Sequence, residues 1–166
     1  MSSYGYGKNL IVHWVKDNFP KGATALDVGA CDGKWYELLG DYLLMDACEV
    51  YQPNIEQHQL SRKYRKVYWG DIAFMEYKHY DLIIFGDVIE HMGVIKAQKV
   101  LEYAKERCND LIIAVPYEYP QDAIYGNPYE RHIQDDLTPE IFDSRYPGYE
   151  VLWANDEYAY YHKGKL

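Results

Sequence analysis

The segment Thr24–Trp35 contains the residues whose types and spacing most clearly suggest ligand chemistry. A short apolar run, typical of a buried strand, is broken by Gly29 and Gly33 and is followed at once by a helical pattern. Glycine lets a ligand approach the backbone closely, and a helix start offers free N–H groups to a negatively charged group. The segment therefore predicts a nucleotide-binding turn at the edge of a doubly wound α/β sheet.

A carboxylate lies at the distance from this turn that ribose binding requires. Glu49 comes at the end of the next predicted strand, 20 residues after Gly29. A carboxylate in this position can accept hydrogen bonds from both ribose hydroxyls. We favour that role over a solvent-exposed strand end, and Asp46 is the alternative if the strand ends earlier.

Two histidines are candidates for proton transfer. His132 is the first candidate for a general base, and His91 is the second, because a neutral imidazole can accept a hydroxyl proton at neutral pH. The alternatives are that His132 is simply solvated in a loop and that His91 only packs at a helix start. Glu118, Tyr117 and Arg131 are further candidates for orienting a substrate, and the sequence does not rank them.

The elements that must position these residues alternate along the chain. The spacing predicts helices at 8–19, 32–42, 53–63, 94–107 and 138–145, with Asp32 and Thr138 as N-caps. It predicts strands at 24–28, 43–50, 65–69, 80–85, 111–115, 149–153 and 157–163. The run at 80–85 is apolar throughout, as in a parallel strand that is buried on both faces.

One connection is too long to be a simple link. Tyr117–Leu137 follows the strand at 111–115 and contains Tyr119, Tyr125 and Tyr129 among prolines and charges. Loops of more than about 12–15 residues are usually lids, binding loops or disordered segments, and the aromatic content argues against disorder. Because it begins at the edge of the sheet where ligands bind, we expect this loop to recognise the substrate.

Composition narrows the class of protein. A chain of 166 residues with 26% charged and 48% apolar residues is expected to form one soluble domain. Its formal net charge of −9 argues against a nucleic-acid partner. Its three cysteines have no CxxC spacing, no apolar run could span a membrane, and the first nine residues do not read as an export signal. We therefore expect a cytoplasmic protein with no membrane partner and a small-molecule substrate; the oligomeric state is not predicted.

Two motifs give the chain a specific resemblance. The pattern acidic-x-Gly-x-Gly-x-Gly runs through Asp27, Gly29, Cys31 and Gly33, with Cys31 as the one departure, and resembles the first motif of class I S-adenosylmethionine (SAM) dependent methyltransferases. The run DLIIFGDVIEHM at 81–92 resembles their fourth motif. The signals follow the family's order over residues 24–92, and the strand at 111–115 with Pro116 extends the match.

The resemblance implies a fold and a cofactor. The fold would be a doubly wound, seven-stranded, mostly parallel sheet with helices on both faces and a C-terminal antiparallel hairpin. The cofactor would be SAM, with Asp71 at the adenine amino group and Ile72 against the ring, although Asp71 could equally cap the next turn. The SAM-binding residues would be Asp27, Gly29, Ala30, Cys31, Asp32, Gly33, Glu49, Val50, Asp71, Ile72, Phe85, Gly86 and Asp87.

The implied activity is methylation of a small molecule at oxygen or nitrogen. The segment GNPYERH at 126–132 also resembles bacterial methyltransferases of sugar and surface-polysaccharide modification, so a sugar or polysaccharide precursor is one expected acceptor. The alternative is an inactive SAM-binding regulator or partner subunit; a nucleotide-dependent oxidoreductase is disfavoured by the missing clamp glycines. We expect no metal ion, and we expect a negative φ at Cys31, because a positive φ would strain a cysteine.

Overall fold

The computed structural model describes residues 5–164, and its seven strands form one sheet. The strands are β1 (Thr24–Val28), β2 (Leu44–Glu49), β3 (Val67–Trp69), β4 (Tyr80–Gly86), β5 (Cys108–Pro116), β6 (Glu150–Ala154) and β7 (Tyr158–Gly164). Their order is β3-β2-β1-β4-β5-β7-β6. β1 to β5 pair in parallel, whereas β7 is antiparallel to both β5 and β6. The predicted sheet, including its closing hairpin, is confirmed.

Helices connect the strands. They are α1 (Lys8–Asn18), α2 (Lys34–Leu39), α3 (Gln52–Gln57), α4 (Leu60–Lys63), α5 (Val94–Lys105) and α6 (Pro139–Arg145). Single 3-10 turns lie at Ile72–Phe74, Ile89–His91 and Pro128–Glu130. Among the described residues, no helix is long and apolar enough to cross a membrane.

Two separate groups of buried side chains cover the faces of the sheet. Apolar residues of β4 alternate between them: Ile83 and Phe85 join one group with α5, while Leu82 and Ile84 join the other with α1 and α2. A continuous apolar run suits such a strand because both of its faces are buried. Because β1, β2, β3 and β4 pair in parallel, their carboxyl ends lie side by side at one edge of the sheet.

The helix boundaries differ from prediction where the local backbone was not foreseen. α2 begins at Lys34 after Gly33, whose φ is 83°, so Asp32 is not its N-cap residue; its Oδ1 still accepts the N–H of Lys34 at 3.1 Å. The predicted helix 53–63 is divided because Gln59 has a φ of 52°. Thr138 does cap α6, since its hydroxyl accepts the N–H of Ile141.

The prediction that the first residues are not an export signal falls partly outside the structure. It rests on residues 1–9, of which 1–4 lie outside the described residues. Residues 165 and 166, which follow β7, also lie outside the described residues.

Candidate functional site

A cleft runs along the carboxyl edge of the sheet. Its lining includes twelve of the fifteen predicted site residues: Gly29, Ala30, Cys31, Asp32, Glu49, Val50, Asp71, Ile72, Gly86, Asp87, His91 and His132. Asp27, Gly33 and Phe85 do not line it. Parallel strands bring these segments together because each strand ends at the same edge.

The turn after β1 needs glycine at its first position. Gly29 has a φ of 72°, and a Cβ built on it would lie 2.6 Å from Cγ2 of Val88. The N–H groups of Gly29 and Ala30 both donate to the carbonyl of Cys48, at 2.9 and 3.2 Å. A side chain at position 29 would thus meet both backbone strain and a steric clash.

The prediction of a negative φ at Cys31 is wrong. Its φ is 48°, in the left-handed region that costs a residue with a Cβ about 1–2 kcal/mol. The N–H of Cys31 donates to Oε2 of Glu49 at 2.8 Å, so the turn is fastened to the end of β2. That charge-assisted hydrogen bond helps to hold the strained backbone in place.

Glu49 is the carboxylate that joins the first two strands of the site. Its side chain is only 4% exposed, and its Oε1 accepts the N–H of Tyr51 at 2.8 Å. Burial raises its pKa, and the hydrogen bonds from Tyr51 and Cys31 oppose that rise. Each carboxylate oxygen retains a second lone pair, so both can still accept a hydroxyl of a ligand.

Asp46, the alternative to Glu49, is placed away from the cleft. It lies within β2 opposite Leu26 of β1, where it accepts hydrogen bonds from the hydroxyl of Tyr80 and from Arg65. The strand ends at Glu49, as the main interpretation of the sequence required.

Asp71 has the capping role that was one of its two predicted roles. Its Oδ1 accepts the N–H of Ala73 at 3.0 Å, and its Oδ2 accepts from Nζ of Lys96 at 2.5 Å. The side chain also borders the cleft beside Ile72. Capping and contact with a ligand are therefore compatible.

Two of the predicted residues outside the cleft are buried behind it. The carboxylate of Asp27 is 1% exposed and accepts the hydroxyl of Tyr64 at 2.5 Å. Burial raises the pKa of Asp27 to about 7, and the Tyr64 hydrogen bond opposes the rise. Phe85 packs entirely within the core. Both side chains support the strand ends instead of lining the cleft.

The end of β4 is shaped by an aromatic residue that was not predicted. A Cβ on Gly86 would lie 2.5 Å from Nε1 of Trp35, so only glycine fits beside this indole. The next residue, Asp87, has a φ of 56°, and its Oδ1 accepts the hydroxyl of Tyr158 at 2.5 Å. Trp35 is both buried and part of the lining.

The loop after β5 contributes a second wall. Its lining residues are Tyr119, Gln121, Asn127, Tyr129, Glu130 and His132. The other candidates face elsewhere: Tyr117 hydrogen-bonds with Tyr161 in the core, Arg131 pairs with Asp122 on the surface, and Tyr125 is exposed. Glu118 also lies outside the lining, so the three proposed orienting residues are not brought to the cleft.

The two predicted histidines meet across this wall. The ring centroids of His91 and His132 are 4.7 Å apart. Nδ1 of His91 is 3.0 Å from the carbonyl oxygen of Arg131, and Nδ1 of His132 is 2.6 Å from that of Tyr119. A carbonyl can only accept, so each Nδ1 carries a proton and each Nε2 keeps its lone pair. Burial lowers the pKa of both imidazoles.

Glu90 is the most unusual residue that the sequence reasoning missed. It is fully buried, and neither carboxylate oxygen has a hydrogen-bond partner within the described part of the chain. One ligand-competent atom from each of Glu90, His91 and His132 lies within 4.8 Å of the other two. The sequence placed Glu90 only inside a family motif, and nothing local showed that His132 would come beside it.

The remaining lining residues carry weak local signals. Lys34, Asn54 and Lys96 lie near the starts of α2, α3 and α5, and Gln121 lies in the loop after β5; polar side chains are ordinary at such positions. Whether such a side chain lines the cleft depends on which way its element or loop faces, so only the folded structure identifies these residues as lining residues.

Many solved structures share this fold, but the comparisons of sequence do not assign the chain to a family. No family model matches the chain, and no curated protein matches it. A SAM-dependent methyltransferase from Clostridium acetobutylicum is 12% identical, with 93% of this chain and 88% of that chain covered and a TM-score of 0.71. The magnesium protoporphyrin IX methyltransferase from Synechocystis, solved with bound SAM, is 14% identical over 93% and 76%, with a TM-score of 0.63. The N-methyltransferase NodS from Bradyrhizobium japonicum is 12% identical over 93% and 92%, also with a TM-score of 0.63. The chain therefore has the fold of the class I SAM-dependent methyltransferases.

Proposed function

We propose that this chain is a member of the class I methyltransferase family, binds SAM in the cleft and transfers its methyl group to the oxygen or nitrogen of a small molecule. The observation that carries this proposal is the position of Glu49, which fastens the glycine turn to β2 and borders the cleft. A carboxylate at this point suits ribose hydroxyls. The similarity of fold to SAM-dependent enzymes supports the same assignment.

The residues around Glu49 fit the parts of SAM. The turn at 29–33 offers close backbone approach for the amino-acid part, because Gly29 has no side chain to obstruct it. Ile72 supplies an apolar contact for the adenine ring, and Asp71 supplies a carboxylate for its amino group. SAM would contribute a sulfonium methyl group, which is electrophilic.

The acceptor would lie between this SAM site and the loop wall. Tyr119 and Tyr129 offer flat apolar surfaces with hydroxyl groups, a combination that suits a sugar or another polar acceptor. His132 and His91 present imidazole lone pairs there, and His132 is the proposed base for an acceptor proton. Holding the acceptor in line with the methyl group supplies much of the expected rate enhancement.

The wider setting is also part of the proposal. The net charge of −9 favours a small-molecule acceptor over nucleic acid. Within the described part of the chain the three cysteines form no disulfide bond, which suits the reducing conditions of the cytoplasm.

Calorimetric titration tests the SAM site. We expect one SAM site per chain, and we expect Glu49→Ala to weaken SAM binding by at least about tenfold, because the ribose loses its acceptor and the turn loses its anchor. Glu56→Ala, which changes an exposed glutamate on α3, is the matched control and should leave affinity unchanged. Equal affinity in the Glu49 variant and the wild type would contradict the proposed site.

Turnover separates an enzyme from an inactive SAM-binding protein. Release of S-adenosylhomocysteine should rise when a panel of monosaccharides and sugar nucleotides is supplied with SAM. His132→Ala should then lower kcat by about 10²–10⁴-fold with SAM affinity near that of the wild type. SAM binding without turnover on any acceptor would favour the regulatory alternative.

A further inference from the structure

We propose that Glu90, His91 and His132 form a binding site for a divalent first-row transition metal ion, of which Zn²⁺ is the first candidate. Two imidazoles and one carboxylate from one face of a cleft are the donor set of many catalytic metal sites with an open coordination position. This proposal departs from the sequence-based expectation of no metal ion.

The first argument is the unsatisfied carboxylate. Glu90 is 0% exposed, and among residues 5–164 neither of its two carboxylate oxygens has a hydrogen-bond partner. Buried carboxylates normally pair with a cation, bind a metal ion or become protonated. The charged side chains that act on Glu90 are those of Asp87 and Glu130, which are both negative. A cation bound at this point would offset three carboxylates together.

The second argument is the orientation of the imidazoles. Each histidine donates its Nδ1–H to a backbone carbonyl, His91 to Arg131 and His132 to Tyr119. This is the arrangement that metal-binding histidines use, because it fixes the tautomer and leaves the Nε2 lone pair for the ion. Turning either ring away from the cleft would break its hydrogen bond to the backbone carbonyl, so these bonds also hold the rings in place.

The third argument is distance. The three ligand-competent atoms lie within 4.8 Å of one another. Ligands of a bound Zn²⁺ lie about 3–3.5 Å apart, so at most a small side-chain adjustment would close the site around an ion. Ile89–His91 is a single 3-10 turn whose Glu90 carbonyl accepts the N–H groups of Ile133 and Gln134, so the loop is tied to the turn next to His132.

The role of the ion deepens the proposed function and rests on it. With three protein ligands, a further position stays open toward the cleft, where it can take the acceptor oxygen. Coordination lowers the pKa of that oxygen and releases its proton to solvent, after which the oxygen can bond to the methyl carbon while the carbon–sulfur bond breaks. His132 would then serve as a ligand, because its one free lone pair cannot also act as a base.

Titration of the metal-free protein with Zn²⁺ and Co²⁺ tests the site without any methyl acceptor. We expect one equivalent of each to bind, with Mg²⁺ binding at least about 100-fold more weakly, and the Co²⁺ complex to show visible absorption. Glu90→Gln and His132→Ala should each weaken binding by about 10–100-fold or more. His58→Ala, on a histidine outside the cleft, is the control and should bind like the wild type.

Two further measurements test whether the metal ion has an open coordination position and whether it stabilises the fold. Acetohydroxamate, an oxygen ligand, should change the Co²⁺ spectrum if a coordination position is open. Thermal denaturation should show a Zn²⁺-dependent increase in Tm that Glu90→Gln abolishes, and circular dichroism of that variant checks that it folds. Failure of the folded wild type to bind Zn²⁺ or Co²⁺, or equal binding by the folded variant, would overturn the metal site.

The metal site and the proposed methyltransferase function can fail separately. SAM affinity, measured with and without Zn²⁺, reports on the Glu49 region alone. Zn²⁺ binding without SAM binding would leave the metal site standing and remove the methyltransferase proposal, whereas the reverse result would do the opposite.

Discussion

At the scale of single residues, the site is held by a few hydrogen bonds that keep the backbone in unfavourable conformations. Cys31 and Asp87 both have a positive φ without being glycine, and both border the cleft. The Glu49 carboxylate holds the first, and the second is joined to Tyr158 through its side chain. Strain of this kind persists at functional sites when the surrounding contacts determine the backbone.

The strain at Cys31 can be measured with two substitutions. Cys31→Gly and Cys31→Ala both remove the sulfur, but only glycine removes the cost of the left-handed backbone. We therefore expect the glycine variant to be about 1 kcal/mol more stable than the alanine variant in urea denaturation. Equal stability would mean that Cys31 is not strained in solution.

At the scale of elements, the loop after β5 is fastened to the turn after β4 by one buried side chain. Gln134 is 3% exposed, and its Nε2 donates to the carbonyls of Ile89 and Met92, at 2.8 and 2.9 Å. Its Oε1 accepts from the hydroxyl of Tyr146 and from Arg145 of α6. The side chain therefore links three elements and keeps His132 near His91.

Replacing this link should loosen the loop. We expect Gln134→Ala to lower the free energy of unfolding by about 2–4 kcal/mol, because buried polar groups on three elements lose their partners. Limited proteolysis within 117–137 should also become faster. Gln57→Ala, at an exposed position on α3, provides the comparison and should change neither measurement. An unchanged rate of cleavage in the Gln134 variant would show that other contacts hold the loop.

At the scale of the whole molecule, buried carboxylates make folding depend on pH. Burial raises the pKa of Asp27 to about 7 and also raises that of Glu49, so the folded chain holds protons that the unfolded chain releases. Stability then decreases as pH rises from the unfolded pKa of Asp, about 4, through the folded value. The direction is opposite to that of a carboxylate stabilised by an ion pair.

Asp27 allows this effect to be isolated. Between about pH 4 and 7, ionisation of Asp27 should lower the free energy of unfolding by up to about 1.4 kcal/mol per pH unit. Asp27→Asn keeps an acceptor for Tyr64 and should make the pH dependence less steep. Asp17→Asn, on the exposed side of α1, should retain the slope of the wild type. Urea denaturation at pH 5, 6, 7 and 8 compares the three proteins, and parallel curves for all of them would contradict the prediction.

Much of this protein could be predicted from local patterns. An apolar run with no polar interruption, as in β4, identifies a strand that is buried on both faces. The end of β2 at Glu49 follows from where its mostly apolar run, interrupted by Asp46, stops. The Thr138 cap follows from the same local chemistry. The mostly parallel sheet and its closing hairpin were expected from the family resemblance. The spacing of apolar residues along an element and the capping of a helix both depend on residues that are close together in the sequence, so the sequence alone reveals them.

The tertiary structure alone decided which residues face the cleft. The positive φ of Cys31 follows from a hydrogen bond to Glu49, a residue 18 positions away, and Asp27 turns to Tyr64 behind the cleft. His132 comes beside Glu90 and His91 only because the loop folds back across the sheet edge, over a separation of about 40 residues that no local pattern spans. Contacts between distant segments depend on how whole elements pack. The glycine turn and Glu49 were therefore predictable, whereas the Glu90, His91 and His132 cluster was not.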